Sequence, residues 1–543
     1  MKKNTFLLLF LIFLLGLFLR FYKLGEIPFG FHQDEVVNAY VGKFILKNGA
    51  DLYGNYWPIF YFDKWGDYPP VLPMYFNGLG SLIFGNTVFG ARFFPALLGS
   101  LTILVIFFLV KEIFLSAKIG LFSSFILATN PWHIVFSRGG TEGITGLFFY
   151  SLSLLFSYRL FNKQCFKFKL LSFFFSLLAF ISYPSYRLIM PLTFLIFLIF
   201  SYNNNKKINQ FFLFNFLFFS VFTYIVSQTF WGRARFLQTS IFNIFFTKEP
   251  FWLSFIYNEP NFFLARFFNN KLIYFFREFM KQFFSYFSLN FLFLEGGKPA
   301  WFSFPNNGLF YLTDFFLIFL FLIFFIKNSL RKKTQYFLIF LLLVLNILPA
   351  ALTIEQTPHT HRSLSSVVFF TIFISIGYSF FLEFIQKIKK IFLLLFWFFW
   401  FGCFVFFSYH YFRNVSVYTA IPRSDGNKQV VLYLNKIKSK YRRIHILISG
   451  WFPIYYLYFS DKYSSYIIGK IEKGMRAKII DNLHFYNQDC WDKRLIDKFY
   501  LKEKNHILIF HSGCKKLKYP HFKQISEIKN ISGLPIYYIF ESR

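Results

Sequence analysis

The sequence predicts a mainly α-helical, polytopic membrane bundle of about eleven spans, followed by a small carboxyl-terminal α/β domain. Three observations carry that expectation. Apolar runs of roughly 20 residues with at most one charge, the length that crosses a bilayer, recur from the amino end to about residue 410. The 543-residue chain is 56% hydrophobic and holds 93 Phe, and its mean hydropathy is +0.46. Its formal charge of +33 comes from 58 Lys and Arg against 25 Asp and Glu. These cations gather between the apolar runs, where cytoplasmic loops of membrane proteins carry them. That placement accounts for the basic charge without a nucleic-acid partner.

The runs lie near 5–22, 88–110, 119–137, 143–161, 170–184, 186–202, 210–227, 309–326, 335–353, 363–384 and 391–410. Lys2 and Lys3 precede the first, and Arg20 closes it with no small-residue cleavage site before it, so it reads as a retained helix. The third run breaks at Asn130-Pro131, and Ser182–Ser185 makes a tight hairpin between the fifth and sixth. With the amino end inside, the inner loops carry Lys111/Lys118, Lys163/Lys167/Lys169, Lys206/Lys207, Lys327/Arg331/Lys332/Lys333 and Lys387/Lys389/Lys390. Every one is basic, and an odd number of spans puts the carboxyl end outside.

The expected organisation is therefore a transmembrane domain over 1–411, with outer loops at 23–87 and 228–308, and an extracytoplasmic α/β domain over 412–543. Within the second loop, Ala265–Phe293 is apolar with spaced cations, the pattern of a helix lying in the membrane interface. In the tail, Ile444–Ser449, His506–Phe510 and Ile536–Phe540 read as buried strands, and Asn427–Ser439 and Asp492–Tyr500 as helices. The tail carries no GxGxxG or P-loop. Cys490 and Cys514 both fall there, and an oxidising compartment permits either a bridge or two buried thiols.

The first outer loop departs from the basic trend. Between Lys23 and Pro70 it carries six acids, Glu26, Asp34, Glu35, Asp51, Asp63 and Asp67, and only four cations. Five polar clusters sit at the outer face in this topology. They are Gly30–Glu35, Trp65–Pro70, Ser137–Gly143, Tyr183–Arg187 and His359–Arg362, and they are expected to converge on one cavity.

The Asp34-Glu35 pair just past the first span, followed by Pro69-Pro70 and then many spans, resembles the membrane glycosyltransferases of the GT-C superfamily. The likeness is to the protein O-mannosyltransferases and to the aminoarabinose transferases that modify lipid A. It extends over roughly Met1–Tyr411, most of it within residues 1–200. The resemblance implies an enzyme that transfers a sugar from a polyprenyl-phosphate donor, with inversion, to an acceptor outside the cytoplasm. Asp34 stands at the position of the family's catalytic aspartate, where it would take the acceptor's proton as general base, with Glu35 beside it in the catalytic pair. A membrane-edge site with little water is expected to raise the Asp34 pKa toward the working range. The departing lipid phosphate needs cations, and Arg138, Arg187 and Arg362 are the candidates, with His359 and His361 as helpers. Glu35, Asp67 and Glu142 are the candidates for sugar or acceptor hydroxyls. No cofactor is implied; the i, i+2 spacing of His359 and His361 could hold a divalent metal, but no carboxylate stands at a metal-ligand spacing to support one. The Trp-Trp-Asp signature and second aspartate motif of metal-dependent oligosaccharyltransferases are absent.

Structural roles compete with each of these assignments. Asp34 would also serve as a helix N-cap, Glu35 and Glu142 as first-turn acids, and Asp67 as a turn former. The arginines would also snorkel to headgroups. At the level of the whole chain the rival is a multi-pass transporter or flippase of lipid-linked or polysaccharide substrates. Such proteins place ionisable groups near the bilayer midplane, whereas Arg92, Arg159 and Asp314 fall near span ends. The expected location is the cell membrane. The expected partners are a polyprenyl-phosphate-linked sugar, a glycan, lipid or protein acceptor, and membrane lipids.

Overall fold

A computed structural model describes residues 3–64, 66–201, 206–243, 262–268, 270–303, 306–327, 330–385, 390–448, 450–472, 477–494, 496, 505–515 and 521–542. A helix stands at each predicted run. Among the described residues seven helices are long and apolar enough to cross a membrane, or eight if the bent pair Ala117–Thr129 and Pro131–Ser137 forms one span. Phe166–Phe180, Tyr186–Ser201 and Leu312–Lys327 stand at the remaining places and are shorter, at 15, 16 and 16 residues. The chain is a membrane protein. Lys387 and Lys389 lie outside the described residues, as does most of Asp492–Tyr500.

Packing divides the chain into two units. Where the sequence draws one boundary near residue 411, the packing groups the first outer loop with the tail. The first unit comprises Met1–Tyr22, Pro95–Arg138 and Glu142–Tyr409; the second comprises Lys23–Phe94, Gly139–Thr141 and His410–Arg543.

The first unit is built from the apolar helices. Lipid is as apolar as Leu, so burial alone does not hold such helices together; close approach and polar pairs do. Gly377 is one close approach, since a Cβ there would sit 1.9 Å from the Leu317 carbonyl oxygen. Ser153 pairs with Ser176 at 2.7 Å and Ser157 with Ser172 at 2.6 Å, which joins Gly143–Asn162 to Phe166–Phe180. Asn346 donates to the Tyr150 hydroxyl at 3.0 Å. Phe6, Phe10, Phe18, Phe398 and Phe401 face outward, as lipid-facing residues do. The break at Pro131 bends the chain by 59°. Proline has no N–H to give, and the Asn130 side chain caps the new helix by accepting from His133 N–H at 2.8 Å. The segment expected to form one interfacial helix is two, Phe262–Phe268 and Lys271–Ser285. The second begins at Asn270, whose side chain accepts from Ile273 N–H.

The second unit holds a six-stranded sheet: β1 Arg443–Leu447, β2 Ile479–Ile480, β3 Leu483–Tyr486, β4 His506–His511, β5 Phe522–Lys529 and β6 Pro535–Ser542. Their order is β2-β3-β1-β4-β6-β5. The centre β3-β1-β4 is parallel, and the flanking pairs are antiparallel. β1, β4, β6 and the helix Asn427–Ile437 match sequence expectations within a few residues. The helix Phe452–Phe459 and strands β2, β3 and β5 were not foreseen. One core gathers Ile444, Ile446, Val430 and Leu434 with Val36, Tyr40, Phe44 and Met74 from the first-loop helices Gln33–Asn48 and Val71–Phe84. A smaller cluster around Leu508, Phe510 and Phe540 includes Cys514, which is disulfide-bonded to Cys490.

The two first-loop helices cross at glycine. A Cβ on Gly42 would lie 1.8 Å from the Met74 carbonyl oxygen, and one on Gly78 would lie 2.2 Å from the Gly42 carbonyl carbon. Gly42→Ala is therefore expected to cost about 1–3 kcal/mol through forced separation of the helices. Gly402→Ala, whose Cβ would meet nothing within 4 Å, is expected to cost nothing. Thermal unfolding of the two detergent-solubilised variants checks this, and equal midpoints would refute the crossing as a constraint.

Candidate active site

The site begins with the local chemistry of one helix start. In Gln33–Asn48, His32 is the N-cap, so Asp34 is not the cap that its position invited. The Asp34 N–H donates to His32 Nδ1 at 3.2 Å, and the His32 N–H donates to Glu35 at 2.9 Å. This reciprocal arrangement is a capping box with histidine in the place usually taken by serine or threonine. It turns the two adjacent acids to different fates.

Glu35 is fully enclosed. Arg92 grips its carboxylate from one side, Nε at 2.9 Å and Nη2 at 3.0 Å. Arg423 Nη1 donates at 2.9 Å, and the Gly140 N–H at 2.8 Å. Arg92 also donates to the carbonyls of Leu24, Pro28 and Gly30, which shapes the turn ahead of the helix. Asn38 and Asn77 hold the Gly140 carbonyl at 3.1 and 2.6 Å. Burial alone would raise the Glu35 carboxyl, but the two guanidiniums and the Gly140 N–H outweigh it and bring the pKa down to about 2.

Asp34 keeps an opening. Its side chain retains 27% of its exposure where that of Glu35 retains none. Its partners are the Lys64 ammonium and, at 3.4 Å, His32 Nδ1. Burial favours the neutral acid, yet Lys64 and His32 override it and hold Asp34 well below the usual carboxylate range. This reverses the expected rise, because a cation in contact outweighs partial loss of water. Lys64 is itself positioned by a short hairpin. Its N–H donates to the Asp67 carbonyl at 2.8 Å, the Asp67 N–H returns at 3.2 Å, and Gly66 between them has φ of +76°. The Lys64 Nζ also lies 5.0 Å from the Trp451 ring centre. Asp67 thus acts visibly through its backbone, by closing the turn that presents Lys64.

The other sequence candidates belong to the first unit. Arg138 is fully buried, and its Nη atoms donate to the carbonyls of Leu19, Arg20 and Tyr22 at 2.9, 3.0 and 2.7 Å. It therefore satisfies the end of the first helix rather than snorkelling. Glu142 stands at the N-cap of Gly143–Asn162 without a side-chain cap bond. Arg187 lies over the Trp231 ring at 5.0 Å. Arg362 pairs with Glu355 at 2.8 Å. The His359 N–H donates to the Tyr286 hydroxyl at 3.1 Å, and His359 Nδ1 accepts from the His361 N–H at 3.2 Å. The His361 ring sits against Tyr183, Phe302 and Phe136, with centres 4.6, 4.8 and 5.3 Å apart, and a Cβ on Gly143 would meet it at 2.6 Å. Three of the five polar clusters thus meet around His361 within this unit. Among the described residues no third His, Cys, Asp or Glu joins the pair to make a metal group.

Sequence reasoning missed Lys64, Arg92, Arg423 and Gly140. The His32-x-x-Glu35 spacing was a legible capping signal, whereas nothing local marks Arg423 or the Gly140 N–H.

A family model described as dolichyl-phosphate-mannose-protein mannosyltransferase matches residues 67–231. None of the curated proteins compared matches the sequence. Among solved structures, ArnT from Cupriavidus metallidurans bound to undecaprenyl phosphate aligns with a TM-score of 0.54 at 10% identity, covering 98% of this chain and 97% of that one. The apo form of the same protein aligns at 0.50 with the same coverage. The oligosaccharyltransferase of Archaeoglobus fulgidus in complex with zinc and sulfate gives 0.47 at 12% identity, covering 83% of this chain and 61% of that one. This chain therefore spans less than two thirds of the archaeal enzyme. Over nearly its whole length it is similar in fold to ArnT, a GT-C glycosyltransferase.

The neighbouring acids are expected to respond unequally to neutralisation. Glu35→Gln leaves two guanidiniums buried around a neutral group and is expected to cost about 3–5 kcal/mol. Asp34→Asn removes the partner of the mostly buried Lys64 ammonium, but at a partly open site, and is expected to cost less, about 1–2 kcal/mol. Because the folded Glu35 carboxyl lies below its ordinary value, its stabilisation is complete above about pH 4.5 and is lost as pH falls toward about 2. Melting curves across that range in wild type and Glu35→Gln check both statements; an acid loss of equal size in the variant would refute them.

Proposed function

We propose that this chain is an integral-membrane glycosyltransferase of the cell membrane. It moves a sugar from a polyprenyl-phosphate donor to an extracytoplasmic acceptor, a glycan, lipid or protein, with Asp34 as general base. The observation that carries the reading is the partly open Asp34 carboxylate in contact with the Lys64 ammonium, held at a helix start whose other acid is locked away. The fold shared with ArnT and the mannosyltransferase match over 67–231 support the same class.

The acceptor oxygen or nitrogen attacks the anomeric carbon from the face opposite the phosphate. The new bond forms as the sugar–phosphate bond breaks, the electron pair leaves on the phosphate, and Asp34 takes the acceptor's proton. Attack from behind inverts the configuration. The leaving phosphate gathers negative charge, and Lys64 is the cation beside Asp34 that answers it. As Lys64 turns toward the phosphate, the charge that depresses Asp34 withdraws, and the carboxylate becomes a stronger base when the donor is in place. Glu35 is a positioning residue: enclosed by Arg92, Arg423 and the Gly140 N–H, it orients the first turn that carries Asp34. Arg138 is given no phosphate to hold, because helix-end carbonyls occupy it. The reading calls for no metal ion. The basic loops orient the amino end to the cytoplasm and the transfer site to the outside.

Purified protein in lipid, given radiolabelled polyprenyl-phosphate sugars, tests this. Asp34→Asn is expected to lower turnover by a factor of about 100 or more. Lys64→Met is expected to raise the KM for donor and, by removing the main charge that depresses Asp34, to move the acid limb of the pH profile to higher pH. Equal transfer by wild type and Asp34→Asn would remove Asp34 from the mechanism. A folded protein that transfers from no donor would favour the transport reading.

A further inference from the structure

Apart from the Asp34 site, the second unit contains a cleft of about 460 Å³. It opens at the carboxyl ends of the parallel strands β1 and β3, the edge at which α/β sheets place their ligands. Its size falls within the range of small-ligand sites. Gly450, Glu472, Lys478, Phe485, Tyr486 and Asn487 contribute to its wall. A Cβ added at Gly450 would meet nothing within 4 Å, so the backbone there borders open space.

The lining chemistry is mixed and nearly neutral. Glu472 and Lys478 pair with each other at 3.2 Å, so the carboxylate and the ammonium of the wall offset one another, and the His484 imidazole stands beside them. The helix Phe452–Phe459 starts at the wall with Pro453 in its first turn. Proline removes one of the N–H groups that draw anions to a helix start. Carboxylate, ammonium, amide and the His484 imidazole together offer acceptors and donors side by side, and Phe485, whose ring packs toward Phe452 and Tyr456, adds apolar surface. Hydroxyl groups both donate and accept, and sugar rings also carry apolar C–H faces. A phosphate or a cation would need an excess of one charge that this wall lacks.

We propose that this cleft binds a neutral oligosaccharide. Resting on the transferase reading, the bound glycan is the part of the acceptor remote from its reacting end, so the acceptor is a sugar chain or carries one. Remote binding of this kind supplies energy that positions the reacting end.

The test is binding, measured apart from transfer. Full-length protein in lipid nanodiscs is titrated with maltotriose, mannotriose and N,N′-diacetylchitobiose, with inorganic phosphate as the anionic control, by saturation-transfer NMR. At least one sugar is expected to bind at millimolar or lower concentration, and phosphate is expected not to compete with it. The double variant Glu472→Gln/Asn487→Ala alters side chains at the cleft surface and is expected to weaken binding about tenfold or more. Asp34→Asn is expected to bind as wild type does. No sugar binding up to roughly 10 mM, or binding indifferent to the double variant, or displacement by phosphate would each overturn the proposal. Transfer without sugar binding at the cleft would sink this inference alone. Sugar binding without transfer from any donor would sink the transferase reading and leave a carbohydrate-binding cleft.

Discussion

A single buried carboxylate organises the second unit. Glu35 is fully buried, and two guanidiniums and two backbone N–H groups surround its carboxylate. Burying such ions is expensive, and the expense is offset only when every lone pair and every N–H has a partner. Here the partners come from distant stretches: the helix Val88–Phe114 by way of Arg92, the Gly139–Thr141 segment by way of Gly140, and the tail by way of Arg423. A charge that tolerates only one arrangement is a strong constraint on register. It explains why residues 388 positions apart in sequence meet at 2.9 Å. It also explains why the helix start is rigid enough for the next residue, Asp34, to face an opening with a fixed cation beside it.

The first unit is governed by a related scarcity. Where no water is at hand, a polar group must find its partner in the protein. The serine pairs, Asn346 with Tyr150, and Arg138 with three helix-end carbonyls all answer that need. Arg20 does the same, spending its guanidinium on the carbonyls of Gly16, Leu127 and Ala128 and on His133. An arginine in such surroundings serves the backbone first.

This distinction marks the limit of what the sequence reveals. Apolar length and basic loops made the helices legible, since both follow from the bilayer itself. The long hydrophobic strands of the tail were legible by their continuous apolar runs, while the two-residue β2 and the half-exposed β5 carry no such run. Asp34 stood out because acids are scarce in so basic a chain. Its surroundings did not, because a pKa depends on what touches the group. Lys64 lies thirty residues on, in a hairpin whose shape comes from Gly66 and a backbone exchange with Asp67. Arg138 was read as a loop cation, and a one-dimensional pattern holds no sign that three carbonyls would meet it.

The outward-facing phenylalanines have a bearing on how little sequence a shared fold requires. A position that touches only lipid asks for bulk and apolarity, and Phe, Leu, Ile and Val satisfy it almost equally. Substitutions there pass with little penalty, so residue identity drifts fastest over the surface that makes up most of each span. The helices meanwhile keep their lengths and their places. A chain that is one quarter aromatic, with 93 Phe, can thus share a fold with ArnT along 98% of its length while only 10% of residues coincide. Where the outer face of each span meets only lipid, a shared fold therefore needs little shared sequence.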